Sequence, residues 1–463
     1  MLSNDVEQSL RAVLESAISW CLRVDQEITK PVRISWRVSI SDRIAQFREE
    51  MTSDNSSLVW NVINLLSRQK PFLTLESCLE SDPLIGPQIN KLIGTRIGMR
   101  RFTTKELLQG ALAYYLAHAR SDLEFDDEAF MKICSEFDEF FAATKLKFTH
   151  WAVLHNFRTE TELIELTPSM RIHRFAAGEV ENLWNTDSFF QLLYPFNRMA
   201  SFPPLEFDAY IERTTQWEKI VGEQESSQQV PPGEAVFDPT AEFGKVITAL
   251  RILKPGAVLL GIVQTKSSGL QGMLGGAMFG VSPPARDLAG NRPTCNLLQS
   301  DIVEFQRIWQ IIEQGVLEKD KSFQVAVGRL SLAADREKPE DALIDVIIAL
   351  EALLLSDTQQ PPERGELRFR LSLRLAQLLG GDRQGMIRHF RTARKAYDLR
   401  SVVVHGGDTT TLDQELAVDA MDLCRQAIRK VLDLSAENTR PDWEALLFGP
   451  LSNESSDSAE QGS

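Results

Sequence analysis

Asp341-Ala-Leu-Ile-Asp345-Val-Ile-Ile-Ala-Leu-Glu351-Ala-Leu-Leu-Leu355 is apolar around its whole circumference when wound as a helix. A helix with no polar face has to be surrounded by other elements, so this stretch predicts the central helix of a bundle. Asp345 and Glu351 are its exceptions. A buried carboxylate needs a cationic partner or must stay protonated. For Asp345 the expectation is a helix–helix ion pair that fixes packing, with Arg368, Arg370, Arg374 and Arg400 as the partners in view. Glu351 has two readings: another packing pair, or a group that orients Arg400 or His405 in a site.

Outward from this helix the periodicity stays helical. Helices are expected over 301–317, 322–334, 366–379, 384–404 and 412–434. In 366–379, Leu367, Leu371, Leu375 and Leu378 form one stripe, and Arg370 and Arg374 lie on another face. Two arginines one turn apart can clamp a phosphate or pair with acids on a neighbouring helix. The next helix runs through Tyr397-Asp-Leu-Arg400-Ser401-Val-Val-Val-His405 and stops at Gly406-Gly407, which suit a helix C-terminus. Arginine offers a permanent, forked cation, and histidine can take and give a proton near neutral pH. Five positions on a helix are about 140° of rotation, so Arg400 and His405 do not share a face. A site using both needs a bent helix end, an arginine that reaches around, or a second chain; the other reading is that His405 caps carbonyls and Arg400 pairs with an acid.

Charge isolates the same region. The chain carries a net charge of −15, which argues against broad, non-specific nucleic-acid binding. Between Arg364 and His405, ten Arg or Lys face three acids, a local net of +7. Such a field inside an acidic protein fits a confined anionic ligand, or else arginines that neutralise acids of adjacent helices.

Residues 1–145 read mainly as helices. Strand-like alternation starts near residue 146 and covers 147–157, 160–166, 170–175 and 257–265, with a helix at 243–253 and a short one at 178–184. Residues 222–233 read as a linker. The glycine-rich stretch Gly269–Gly280 lacks phosphate-loop spacing and reads as a loop. His150, His155 and Cys134 lack metal-ligand spacing and read as ordinary strand and helix residues. The expected organisation is an N-terminal helical region (1–145), a mixed α/β domain (146–299), a helical domain (300–436) and an acidic tail (437–463) whose composition predicts disorder. The fold class is α+β, predominantly α-helical.

Five scattered cysteines, none in a Cys-x-x-Cys pair, argue for reduced thiols and a cytoplasmic setting. No apolar run approaches the roughly 20 residues of a membrane span, and the N-terminus lacks a signal-peptide layout.

Several pieces occur together in order: Glu340-Asp-Ala-Leu-Ile-Asp345 running into Ala349-Leu-Glu351-Ala-Leu-Leu354, then Glu366-Leu-x-x-Arg-Leu-Ser372-Leu-Arg374-Leu-Ala376, then Tyr397-x-x-Arg400-Ser401-x-x-Val404-His405-Gly406. Over residues 340–407 this resembles the Apea-like branch of the HEPN superfamily. The resemblance implies a C-terminal helical bundle that dimerises and a metal-independent RNA endonuclease with no cofactor, as in a toxin or anti-phage effector. It implies that Arg400 and His405 of two chains meet, with His405 as general acid/base on the ribose 2′-hydroxyl or the leaving 5′-oxygen. Arg400 would stabilise charge on the phosphate, leaving a 2′,3′-cyclic phosphate. Glu351, Ser401, Arg374 and Tyr397 are the expected supporting residues, and Ser401 stands where many active members carry asparagine or another larger polar residue. The alternative is a non-catalytic HEPN module that binds a nucleotide, RNA or protein partner. RNA and a second copy of the chain are the expected partners, no membrane is expected, and the trigger is left open.

Overall fold

The computed structural model describes residues 2–24, 32–41, 44–53, 55–95, 98–118, 125–175, 207–222, 237–261, 263–267, 293–356, 364–406, 414–437 and 439–448. They form an α+β protein in which helices predominate. The expected short helix at 178–184, the glycine-rich stretch, most of the 222–233 linker and residues 449–463 of the expected disordered tail lie outside these residues, while Trp443–Phe448 of that tail forms a helix.

The N-terminal part places α1 (Asn4–Val24) against α2 (Asn55–Leu66) and α3 (Lys70–Ser81), followed by α4 (Thr104–His118) and α5 (Asp127–Ala142). Val6, Leu10, Val13, Leu14 and Ala17 form the buried stripe of α1 and meet Val62, Leu75, Phe137 and Phe141 in one core. Helices form most of this region, as expected, but it also contains strands. Strands β1 (Val32–Ser41) and β2 (Ile44–Ser53) form an antiparallel hairpin, and β3 (Leu92–Thr95) and β4 (Gly98–Arg101) form another. Val32, Ile34, Trp36, Val38 and Ile40 alternate with polar residues, the period of a strand rather than a helix.

The middle of the chain builds an antiparallel sheet from β5 (Lys145–His155), β7 (Leu163–Thr167), β8 (Met170–Arg174), β9 (Phe207–Glu218), β11 (Leu259–Leu260) and β12 (Gln264–Ser267). The order is β11-β5-β9-β8-β7, with β12 on β5 beyond β11. Two short strands, β6 (Phe157–Thr159) and β13 (Cys295–Leu297), pair in parallel beside it, and β10 (Ile220–Gly222) joins β3. One face of the sheet, with Ala152, Leu154, Ile172, Ala209 and Ile211, packs on α6 (Pro239–Leu253). Asp238 caps α6 by accepting from the Thr240 N–H at 2.8 Å.

The C-terminal helices are α7 (Ile302–Glu313), α8 (Val316–Lys319), α9 (Lys321–Asp335), α10 (Pro339–Leu354), α11 (Arg364–Leu379), α12 (Arg383–Val404), α13 (Gln414–Ala436) and α14 (Trp443–Phe448). Pro339 opens α10, where its missing N–H costs nothing. α10 touches α9, α11, α12 and α13, the central position its all-round apolarity requires. α6 packs on α7, α9 and α13, so sheet and bundle share one core running from Ala152 to Leu432. No helix among the described residues is long and apolar enough to cross a membrane.

Candidate functional site at the last turn of the central helix

Two arginines from different helices converge on the end of α10. Arg374 of α11 donates from Nη1 to the Leu354 carbonyl oxygen at 2.6 Å. Its guanidinium also lies over the Trp443 ring, 4.6 Å from the centroid. Arg400 of α12 reaches Glu351, with Nη2 4.0 Å from Oε2 and both side chains 28% exposed. The carbonyl end of a helix carries partial negative charge, which favours both cations there. The two arginines are held differently. Arg374 is engaged by a carbonyl and an aromatic face, whereas the Arg400–Glu351 contact lies at the outer limit of an ion pair. The Arg400 Nε is buried and has no hydrogen-bond partner. A fork with unused donors is suited to accepting a planar anion or a phosphate.

α12 begins at Asp382, whose carboxylate accepts from the Gly385 N–H at 2.7 Å, and stays helical to Val404. His405 follows as the C-cap, its N–H donating to the Ser401 carbonyl at 3.2 Å. The Gly406 N–H then donates to Val403. Gly406 has φ +72°, so a side chain there would be strained. The helix therefore neither bends nor unwinds between Arg400 and His405. Arg400 lies on the inward side with the buried Ala393 and Ala396, toward α10. Tyr397, one turn earlier, is half-buried against the same core. His405 lies on the outward side, exposed, in line with the exposed Arg391, Arg394 and Asp398. Of the three geometries that would unite Arg400 and His405, one chain supplies neither a bent helix nor an arginine that reaches around. Glu351 and Arg400 are brought together, Arg374 engages the Leu354 carbonyl at the end of the same helix, and His405 stands apart from them.

Asp345 is 1% exposed and accepts from Arg329 Nη1 and Arg336 Nε, each at 2.8 Å. The ion pair expected from the sequence is present, but its partners differ from the arginines expected. Arg329 is on the neighbouring α9 and Arg336 is at its C-cap. Both reach Asp345 across the tight α9–α10 connection, while Arg368, Arg374 and Arg400 make other contacts.

The basic window separates into two groups. Arg368 pairs with Asp398 at 2.5 Å, Arg370 pairs with Glu366, and Asp382 is occupied as a helix cap. That engages all three acids of the window. Arg383, Arg388, Arg391, Arg394 and Lys395 are exposed and have no acidic partner among the described residues. His389 sits beside Arg388 on the inward side of α12. Burial, then the Arg388 charge, lowers its pKa.

His150 lies between the hydroxyls of Thr265 and Thr215, each 2.8 Å away, and burial pushes its pKa down to about 4, assisted by Arg213. Burial does the same to His155. Burial likewise pushes the Cys134 thiol, in the other core, up to about 12. His150 and His155 lie in β5 and Cys134 in α5, the strand and helix positions expected. Among the described residues no group of three or more His, Cys, Asp or Glu could hold a metal ion. The site feature missed in the sequence was Trp443, whose only signal was an aromatic residue in a short apolar remnant after Arg440-Pro441. No protein-family model, curated protein or solved structure matches the chain.

Proposed function

We propose that the chain is a metal-independent RNA endonuclease of the HEPN type, acting as a homodimer in the cytoplasm as a toxin or anti-phage defence effector. The observation that carries this reading is the division of α12. Arg400 faces inward with unused donors, and His405 stands exposed at the end of the same straight helix. Two copies related by a twofold axis can bring the His405 of one to the Arg400 of the other, which one copy cannot do. The exposed valines Val402 and Val404 beside His405 give such a contact an apolar component.

In this reading His405 accepts the proton of a ribose 2′-hydroxyl. The oxygen attacks the adjacent phosphorus, forming a P–O2′ bond, and Arg400 stabilises the charge that builds on the phosphoryl oxygens. The P–O5′ bond breaks, and the leaving oxygen takes a proton from protonated His405. The products are a 2′,3′-cyclic phosphate and a 5′-hydroxyl. Glu351 orients Arg400, Arg374 fixes the end of α10 that carries Glu351, Tyr397 seats α12 on the core, and the Ser401 carbonyl holds the His405 backbone.

The second reading, a HEPN module that binds a nucleotide, RNA or protein without cutting, is favoured by Glu351 already lying beside Arg400. Cleavage assays in EDTA with wild type, Arg400→Ala and His405→Ala separate the two. Cleavage by wild type and loss in both folded variants supports the nuclease. No cleavage of tRNA, mRNA or RNA from phage-infected cells by any of the three contradicts it, and tight RNA or nucleotide binding without cleavage supports the second reading.

A further inference from the structure

We infer that the outward face of the α11–α12 hairpin is a ridge that binds single-stranded RNA and leads it to His405. The inference rests on RNA being the ligand, but not on its being cut. Three observations carry it. First, Arg388, Arg391, Arg394 and Lys395 are exposed on successive turns of α12 and have no acidic partner among the described residues. The one acid in their row, Asp398, is neutralised by Arg368 at 2.5 Å. Unpaired guanidinium groups in a row, on a chain of net charge −15, suit a string of phosphates better than a single anion.

Second, Phe369 of α11 is 54% exposed and meets Phe390 edge-on, with ring centroids 5.8 Å apart and planes at 75°. Phe390 is one turn from Arg394, so an exposed aromatic face lies beside the cationic row. Bases that are not paired can stack on such a face, whereas a duplex keeps them stacked on one another. Third, steps of three and four residues from Arg391 through Arg394, Asp398 and Ser401 to His405 keep one face of the helix. A strand following the row therefore arrives at the exposed histidine. A second copy of the chain is a poor occupant of this row, because a self-complementary contact would set like charges against each other.

The test uses the full chain carrying His405→Ala, so that RNA survives, and measures fluorescence anisotropy of a labelled oligouridine in EDTA. Adding Arg391→Glu and Arg394→Glu should weaken binding at least ten-fold. It should also flatten the slope of log affinity against log salt by about 1.4, two phosphate contacts at roughly 0.7 each. Adding Phe369→Ala should weaken the single strand about ten-fold and the same strand annealed to oligoadenosine much less. Arg391→Lys with Arg394→Lys should retain binding, and circular dichroism should show unchanged helix in every variant.

Unchanged affinity in the charge-reversed variant, equal affinity for duplex and single strand, or no oligouridine binding by the parent chain would each overturn the ridge. A charge-reversed variant that changes oligomeric mass while binding RNA normally would assign the face to self-association instead. If the ridge variants lose RNA but wild type never cuts, the ridge stands and the nuclease reading falls. If Arg400 and His405 are needed for cutting while Arg391→Glu with Arg394→Glu leaves binding and KM unchanged, the reverse holds.

Discussion

Asp345 and Glu351 sit six positions apart on the same central helix, and each meets arginine. Asp345 is sealed from solvent and gripped by two guanidinium groups at 2.8 Å. Glu351 is partly open and touches one guanidinium at 4.0 Å. The first pair engages both carboxylate oxygens, and none of its three residues has a buried polar atom without a partner. The second leaves a buried Arg400 Nε without a partner. The two pairs on one helix therefore differ in how completely they are satisfied, although a buried Nε without a hydrogen-bond partner also occurs at Arg171, Arg213 and Arg251. A saturated buried pair fixes packing, whereas an unsaturated one at a helix end retains donors for something else.

Stability measurements can break that contrast. Removing Arg329 and Arg336 together strands a buried carboxylate, and chemical denaturation should record a loss of about 3 kcal/mol or more. Leu350→Ala, which empties part of the same helix's packing, should cost about 2–5 kcal/mol and serves as the scale for a severe core defect. Glu351→Gln should cost no more than about 1 kcal/mol, because the pair it removes is loose and partly solvated. If Glu351→Gln destabilised the protein as much as the double arginine variant, the distinction between the two acids would collapse. Under the proposed function, Glu351→Gln instead changes cleavage at unchanged melting temperature, since it frees Arg400 without disturbing the core.

Acidification sharpens the comparison by assigning pH sensitivity elsewhere. His150 and His155 have folded pKa values near 4 against an ordinary 6.5. The unfolded chain therefore binds protons first as pH falls. Stability should be unaffected by these histidines above about pH 6.5, decline between 6.5 and 4, and level off below 4. Thermal melts of His155→Gln should decline less steeply across that window. An unaltered slope would move the acid sensitivity away from the sheet.

Much of the bundle was legible because helices announce themselves locally. The all-apolar stretch at 341–355 predicted its own central position, and Gly406 marked where α12 ends. The sheet was less legible. β9, which lies between β5 and β8, reads Phe-Asp-Ala-Tyr-Ile-Glu-Arg-Thr-Thr-Gln-Trp-Glu, and its polar half hides the alternation of Ala209 and Ile211. Its identity depends on partners distant in the chain rather than on its own pattern. The β1–β2 hairpin had a readable period of two in its first strand, but it lies among strong helices and was absorbed by them.

For the site, helix geometry placed Arg400 and His405 on different faces, as the structure has them, and the Glu351–Arg400 contact is compatible with both readings of Glu351. The partners of Asp345 were missed because Arg329 and Arg336 precede it across a helix connection, where only the turn geometry makes them neighbours. The unpaired row on α12 was visible as local charge. Its freedom was not, because that depends on where Asp398, Glu366 and Asp382 point.

The central claim is that Arg400 and His405 belong to one site only across two chains. Co-expressing Arg400→Ala and His405→Ala under different tags, and purifying the mixed dimer through both, tests it directly. Each variant alone should be inactive, and the mixed dimer should regain part of the wild-type cleavage, because one of its two composite sites is intact. A mixed dimer as inactive as its parents, beside an active wild type, would contradict the account.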